Sequence, residues 1–214
     1  MLIQGQVGPA SVQSLSSGTN PTIRMGQLGD IVVSELHGRY YEQAYRGSVF
    51  SLSVSTAAAI TAYVGAAAGQ PQIALYNPVG SGKNLAVLQA SYNNVVAASG
   101  AGTVAWGLWF GPTVAPTAAT NAVATNMATL QKAGSVASCW TNTALTSSTA
   151  LVNQYPVGFY YWATAAGALS PAMNMVDVGG SIIVPPGCMI ALGGTSALTS
   201  ATWTGNITWE EVPV

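Results

Sequence analysis

Ionised side chains are scarce in this chain. Asp, Glu, Lys and Arg make up 5% of its 214 residues, where an ordinary soluble protein carries roughly 25%. A free monomer keeps itself dispersed largely with those side chains. A surface built instead from Ala, Ser, Thr, Asn and Gly belongs to a body mostly covered by neighbours, so obligate assembly is the first expectation. The formal net charge of -1 and pI near 5.6 supply no field for phosphates, which argues against direct nucleic-acid binding through a basic footprint. Long apolar runs are missing too. The most apolar stretch, Ala57 to Ala68, is mainly Ala and is broken by Thr61 and Gly65, well short of the ~20 strongly apolar residues of a spanning helix. No membrane partner is expected. The start, MLIQGQVGPASVQ, lacks the positive and apolar regions of a secretory signal, so synthesis in a cytosol is expected.

Cysteine and histidine are equally sparse. Cys139 and Cys188 are far apart and join no CxxC or Cys/His cluster, which predicts free buried thiols and leaves a bridge between them open. His37 is the one histidine. Without a second ligand it builds no metal site, and no cofactor is expected.

What charge there is gathers in Arg24 to Gly47, RMGQLGDIVVSELHGRYYEQAYRG, where Arg24, Asp30, Glu35, Arg39, Glu42 and Arg46 cancel one another. Tyr40, Tyr41 and Tyr45 are interleaved with them. Arg forks pair with carboxylates, and Tyr and Arg anchor interfaces. Arg39, Tyr40, Tyr41, Glu42, Tyr45 and Arg46 are therefore the candidate binding residues, as contacts to other subunits or to a shell. A solvated polar connection into a core is the plain alternative.

Residues 1–23 are polar, punctuated by Gly5, Gly8, Pro9, Gly18 and Pro21, with no charge before Arg24. Too few large apolar side chains are present to offset their ordering entropy, so they read as an extended arm that a neighbouring subunit would order. DIVVSEL reads as a strand. Glu42/Arg46 and Tyr41/Tyr45 at i, i+4 support a turn or two of helix, which Gly38 limits. From Ser48 the period becomes two: Val49, Phe50, Leu52 and Val54 alternate with serines. Ala57 to Ala68 reads as irregular. Ile73 and Leu75, a turn at Asn77 to Gly82, then Leu85, Val87 and Leu88 read as strand, turn and strand. TVAWGLWFGP is an apolar strand, and Thr113 to Thr149 reads as a long exposed insertion. Ile182 to Leu192 is strand, Pro185-Pro186-Gly187 corner and returning strand. In the closing ATWTGNITWEEVPV, Trp203, Ile207 and Trp209 share one face and Thr202, Thr204, Asn206 and Thr208 the other. Many short strands and almost no amphipathic helix predict an all-β, antiparallel two-sheet sandwich, preferably a jelly roll, over residues 48–214, with residues 1–47 as arm and contact segment.

Catalytic sets are lacking. Gly80-Ser-Gly-Lys83 has the end of a phosphate loop but Asn77 where the first Gly belongs, and a strand where the helix should follow. His37 near Asp30 and Glu35 has no paired nucleophile. Asp177 stands alone, and the neighbours Glu210 and Glu211 point to opposite faces of a strand, so all three read as solvated rim. Asn206-Ile-Thr208 fits a glycosylation sequon without a secretory context. The six tryptophans read as core and interface packing rather than a sugar platform, since Trp106, Trp109, Trp203 and Trp209 lie in buried-strand runs.

GQLGDIVVSELHGRYYEQAYRGSVF, LYNPVGSGKNLAVL, IIVPPGCMIALGG and TWEEVPV resemble a group of virion structural proteins of tailed bacteriophages. The resemblance covers the N-terminal fifth and scattered later turns, and it leaves Thr113 to Ser148 unmatched. It implies a β-sandwich shell, decoration or tail component without catalytic residues, made in the host bacterial cytoplasm and carried in the virion. The expected role is a capsid decoration or cement protein, a homotrimer contacting the major capsid protein or other virion proteins. The alternative is a tail or head fibre module that binds a host receptor or carbohydrate through Thr113 to Thr149. An esterase-like or glycosidase-like enzyme lacks its nucleophile, base or carboxylate pair.

Overall fold

A computed structural model describes residues 5–6, 23–24, 38–54, 56–96, 102–147, 149–162, 173–196 and 198–214. The expected DIVVSEL strand, His37, Asp30 and Glu35 lie outside them. The chain divides into two compact units, Met1–Tyr41 and Glu42–Val214. In the first, β1 (Gly5–Gln6) pairs in parallel with β2 (Ile23–Arg24). The one helix among the described residues, α1, is Tyr41–Tyr45.

The second unit holds β3 (Val49–Ser53), β4 (Ala58–Ile60), β5 (Ala68–Gly69), β6 (Ile73–Asn77), β7 (Lys83–Val96), β8 (Gly102–Pro112) and β9 (Thr125–Asn126). It continues with β10 (Ser138–Thr141), β11 (Leu145–Thr146), β12 (Asn153–Trp162), β13 (Met173–Val184), β14 (Cys188–Gly194) and β15 (Leu198–Pro213). Two antiparallel sheets dominate, in the orders β10-β6-β14-β8-β12 and β13-β7-β15-β3-β9, with β4 also on β15.

These orders define a jelly roll. The first four long strands, β3, β6, β7 and β8, pair with the last four in reverse: β3 with β15, β6 with β14, β7 with β13 and β8 with β12. That is one long folded ribbon. Rolling it up sets β15 beside β7 and β14 beside β8, the two-Greek-key arrangement that removes most free edges. Pro185-Pro186-Gly187 alone connect β13 to β14 and turn the chain out of one sheet into the other. Gly187 takes φ +81° there, a left-handed value that glycine adopts without a side-chain clash.

Alternation builds the core. Along β15, Trp203, Ile207 and Trp209 are buried while Thr202, Thr204, Asn206 and Thr208 are half-buried on the outer face. Inside the sandwich Trp106 stacks on Tyr92 at 4.7 Å between ring centroids and tilts against Trp203 at 5.3 Å, and Phe50 lies against Trp209. These rings join Ile73, Leu75, Leu108, Ile190 and Leu192 in one cluster between the sheets.

The insertion between β8 and β12 departs from expectation. It supplies β9 to the edge of one sheet and β10 to the edge of the other, and β11 pairs with β5. Trp140, Leu145 and Leu151 are buried with Tyr63, Tyr76, Trp109 and Met189 in a second cluster on the outer face of the five-stranded sheet. The Trp140 indole donates to the carbonyls of Ala118 and Ala119, both at 3.1 Å. Only part of this segment, including Ala128 to Gly134, is exposed. Sequence reading missed the cover because its three apolar anchors are separated by polar residues.

Candidate functional site

The described end of the charged stretch, residues 38–47, holds a short helix built to stop. The amide of Gly47 donates to Ala44 O (2.9 Å) and that of Ser48 to Gln43 O (3.1 Å), with Gly47 at φ +73°. These are the two bonds of a Schellman end, which needs a left-handed residue one place beyond the helix. Asn126 of β9 donates through Nδ2 to Gly47 O at 2.8 Å, so the insertion pins this end. On the helix surface Arg46 Nε and Nη2 both lie 2.7 Å from Glu42 Oε1. Tyr45 is 73% exposed. Ahead of the helix, Arg39 lies over the Tyr40 ring at 5.3 Å, and the Tyr41 amide donates to Gly38 O. Arg39, Tyr41, Glu42, Tyr45 and Arg46 are exposed and Tyr40 is half-buried.

The other candidate groups are structural. Gly80 and Gly82 take positive φ in a turn closed by the Ser81 amide on Pro78 O (3.1 Å). Lys83 Nζ does not face an open phosphate cradle but lies 3.1 Å from Glu211 Oε2. Glu211 itself corrects the solvated-rim expectation, since its side chain is 0% exposed. Its Oε1 accepts from Ser135 Oγ (2.7 Å) and the Val136 amide (2.9 Å). A buried carboxylate needs such partners to offset lost hydration. Glu210 and Glu211 do face opposite ways, and it is this alternation that sends Glu211 inward. Asp177 is exposed on β13.

Cys139 and Cys188 are both free thiols. Burial pushes the Cys139 thiol up to about 12, with Glu211 nearby adding to the rise, and burial also raises Cys188. Neither is an activated nucleophile. Among the described residues no cluster of three His, Cys, Asp or Glu side chains is placed to hold a metal ion, and no helix is long and apolar enough to cross a membrane.

The polar side of β15, legible in the sequence, belongs to a wider face that the sequence does not assemble. On the outside of the six-stranded sheet, register sets Ser53, Asn206, Ser91 and Met175 in one row and Ser51, Thr208, Gln89 and Asp177 in the next. Asn206 Nδ2 donates to Ser51 Oγ (2.6 Å) and Ser53 Oγ (2.7 Å), and Thr208 Oγ1 donates to Asn206 Oδ1 (3.0 Å). The sequon asparagine is thus tied into its own sheet. Five of the six tryptophans, Trp106, Trp109, Trp140, Trp203 and Trp209, are buried, so none of these five offers a stacking platform.

No protein-family model matches the chain, and no curated protein matches it. Among solved structures, a chain of the "KBV activated particle at acidic pH" is similar over 99% of this chain and 90% of that one, at 13% identity and a TM-score of 0.30. A likeness this distant carries no argument about function.

Proposed function

We propose that this protein is a structural component of a virion, specifically a capsid decoration or cement protein of a tailed bacteriophage that acts as a homotrimer and catalyses no reaction. The single observation that carries the reading is the scarcity of ionised residues in a chain folded as a jelly roll. Jelly rolls serve viral shells, lectins and cupins alike, so the fold alone decides nothing. A sandwich of this kind with 5% ionised residues is suited to burial by neighbours. The resemblance of residues 26–50 to tailed-phage virion proteins supports the same reading.

The mechanism is repeated burial. Each specific contact covers roughly 800 Å² per partner, and repetition over a symmetric shell converts modest pairwise affinity into firm attachment. Arg39, Tyr40, Tyr41, Glu42, Tyr45 and Arg46 form the proposed contact with the shell or other virion proteins, combining two forked cations with amphipathic rings. Arg39→Ala, Tyr41→Ala and Arg46→Ala variants should remain folded by circular dichroism yet fail to sediment with particles lacking the protein. Decoration at the wild-type level would remove these residues from the contact.

The exposed tip of the insertion favours a second reading. Leu130 is 73% exposed at φ 59°, on a turn closed by its amide on Asn126 O at 2.8 Å. A fibre-borne module could use such a tip to bind a receptor or carbohydrate. Inhibition of phage adsorption by the isolated protein, lost in Leu130→Asp, would select it over the shell role.

A further inference from the structure

This inference rests on the shell contact proposed above and concerns what holds that contact in place. Glu42 and Tyr45 lie on α1 and Arg46 directly after it. A helix of five residues cannot keep its shape unaided, because nucleation costs more than so few bonds return. Core packing does not hold it either, since no residue of α1 is buried. Its shape must therefore come from hydrogen bonds to other segments.

Asn126 supplies one from the insertion, Nδ2 to Gly47 O at 2.8 Å. Which way this side-chain amide faces is decided by the tip that follows it. Its Oδ1 accepts from the backbone amides of Ala128 (2.9 Å) and Thr129 (3.3 Å). With the oxygen claimed there, the NH2 end is left to face Gly47 O. The backbone of Asn126 closes the same tip, its N–H donating to Gln131 O (2.9 Å) and its O accepting from the Leu130 amide (2.8 Å). What the tip uses at Leu130 is that amide, while the side chain is 73% exposed. On the far side, Glu211 Oε1 accepts from Ser135 Oγ and the Val136 amide. The exposed run 127–134 is thus fastened at both ends.

We infer that Asn126 is a positioning residue for the proposed contact, and that the tip 127–134 is the buttress that aims it rather than a binding loop of its own. The tip fixes the Asn126 amide, the amide fixes Gly47 O, and Gly47 ends the helix that presents Glu42, Tyr45 and Arg46. Side chains held in place before binding have less freedom to lose when a partner arrives.

Asn126→Asp separates the two links, because a carboxylate still accepts from Ala128 and Thr129 but cannot donate to Gly47 O. Amide hydrogen exchange of the full chain, followed by NMR, should run at least about fivefold faster at Gly47 and Ser48 and at the wild-type rate at Ala128 and Thr129. Asn126→Ala should speed both pairs. Co-sedimentation with particles lacking the protein should weaken about tenfold in Asn126→Asp while the urea midpoint holds, a separation that a merely stabilising residue would not give. Leu130→Asp, which suits a left-handed backbone, should match the wild type in exchange and in binding. The inference is overturned by wild-type exchange at Gly47 and Ser48 in Asn126→Asp, by full particle binding in that variant, by a binding loss that only tracks a lowered urea midpoint, or by binding lost in Leu130→Asp. A wild type that never binds particles sinks the decoration reading, and the exchange pattern alone then decides whether Asn126 holds the helix.

Discussion

The two sheets of this jelly roll share one core and treat their second faces in opposite ways. In β6, Ile73 and Leu75 face the inner cluster while Ala74 and Tyr76 face the outer one, and all are buried. In β15, Trp203, Ile207 and Trp209 face the same inner cluster, but their alternates Thr204, Asn206 and Thr208 remain half-exposed. One sheet reads as continuously apolar because the chain supplies its own roof, and the other alternates because nothing of the described chain covers it. The low charge therefore has two origins. Part of the surface is concealed internally, and part is kept wet by hydroxyls and amides that hydrogen-bond without ionising.

Substitutions in each region sharpen that contrast. The largest effect belongs to the shared core. Trp106→Ala removes the ring between Tyr92 and Trp203 and should cost about 4–5 kcal/mol, read as a drop in the urea midpoint of the whole molecule. Next is Glu211→Ala, which leaves the Ser135 hydroxyl and the Val136 amide without their acceptor and frees the half-exposed Lys83 ammonium, and should cost about 2–3 kcal/mol. Glu211→Gln, which keeps an acceptor oxygen, should cost less. Trp140→Ala comes third, on the order of 2–3 kcal/mol, with faster hydrogen exchange confined to the insertion and to residues 61–72. If its exchange spread equally into β13 and β7, the roof and the shared core would be one cooperative body and the contrast would dissolve. Thr208→Ala on the open face should change stability by no more than about 0.5 kcal/mol.

Much of the fold was legible because it rests on local alternation. Thr202 to Trp209 displays both faces of β15 in its spelling, and Pro185-Pro186-Gly187 declares its corner. Gly47 ends a helix whose Glu42/Arg46 pair was visible at i, i+4. The pairing of β3 with β15 was not legible, since it joins residues more than 150 positions apart and no short-range pattern encodes it. The roof was hidden for a related reason. Trp140, Leu145 and Leu151 share no period, and the β10–β6 and β11–β5 pairings together with the Leu151 amide on Gly65 O bring them into one cluster with Trp109. Glu211 was misread because composition marks a carboxylate as solvated, while its partners, Ser135 and Lys83, come from distant segments. For the contact residues Arg39 to Arg46, the exposed helix is in place, and their partner remains a proposal.

Cohesion through covered, uncharged surfaces is the claim beneath all of this, and the number of copies per purified particle measures it most directly. If the proposal holds, a cryo-electron microscopy map of a virion containing the protein should show it repeated over the whole shell, hundreds of times, with Arg39 to Arg46 against neighbouring subunits. A few copies confined to a tail, or a chain missing from the particle altogether, would contradict the account.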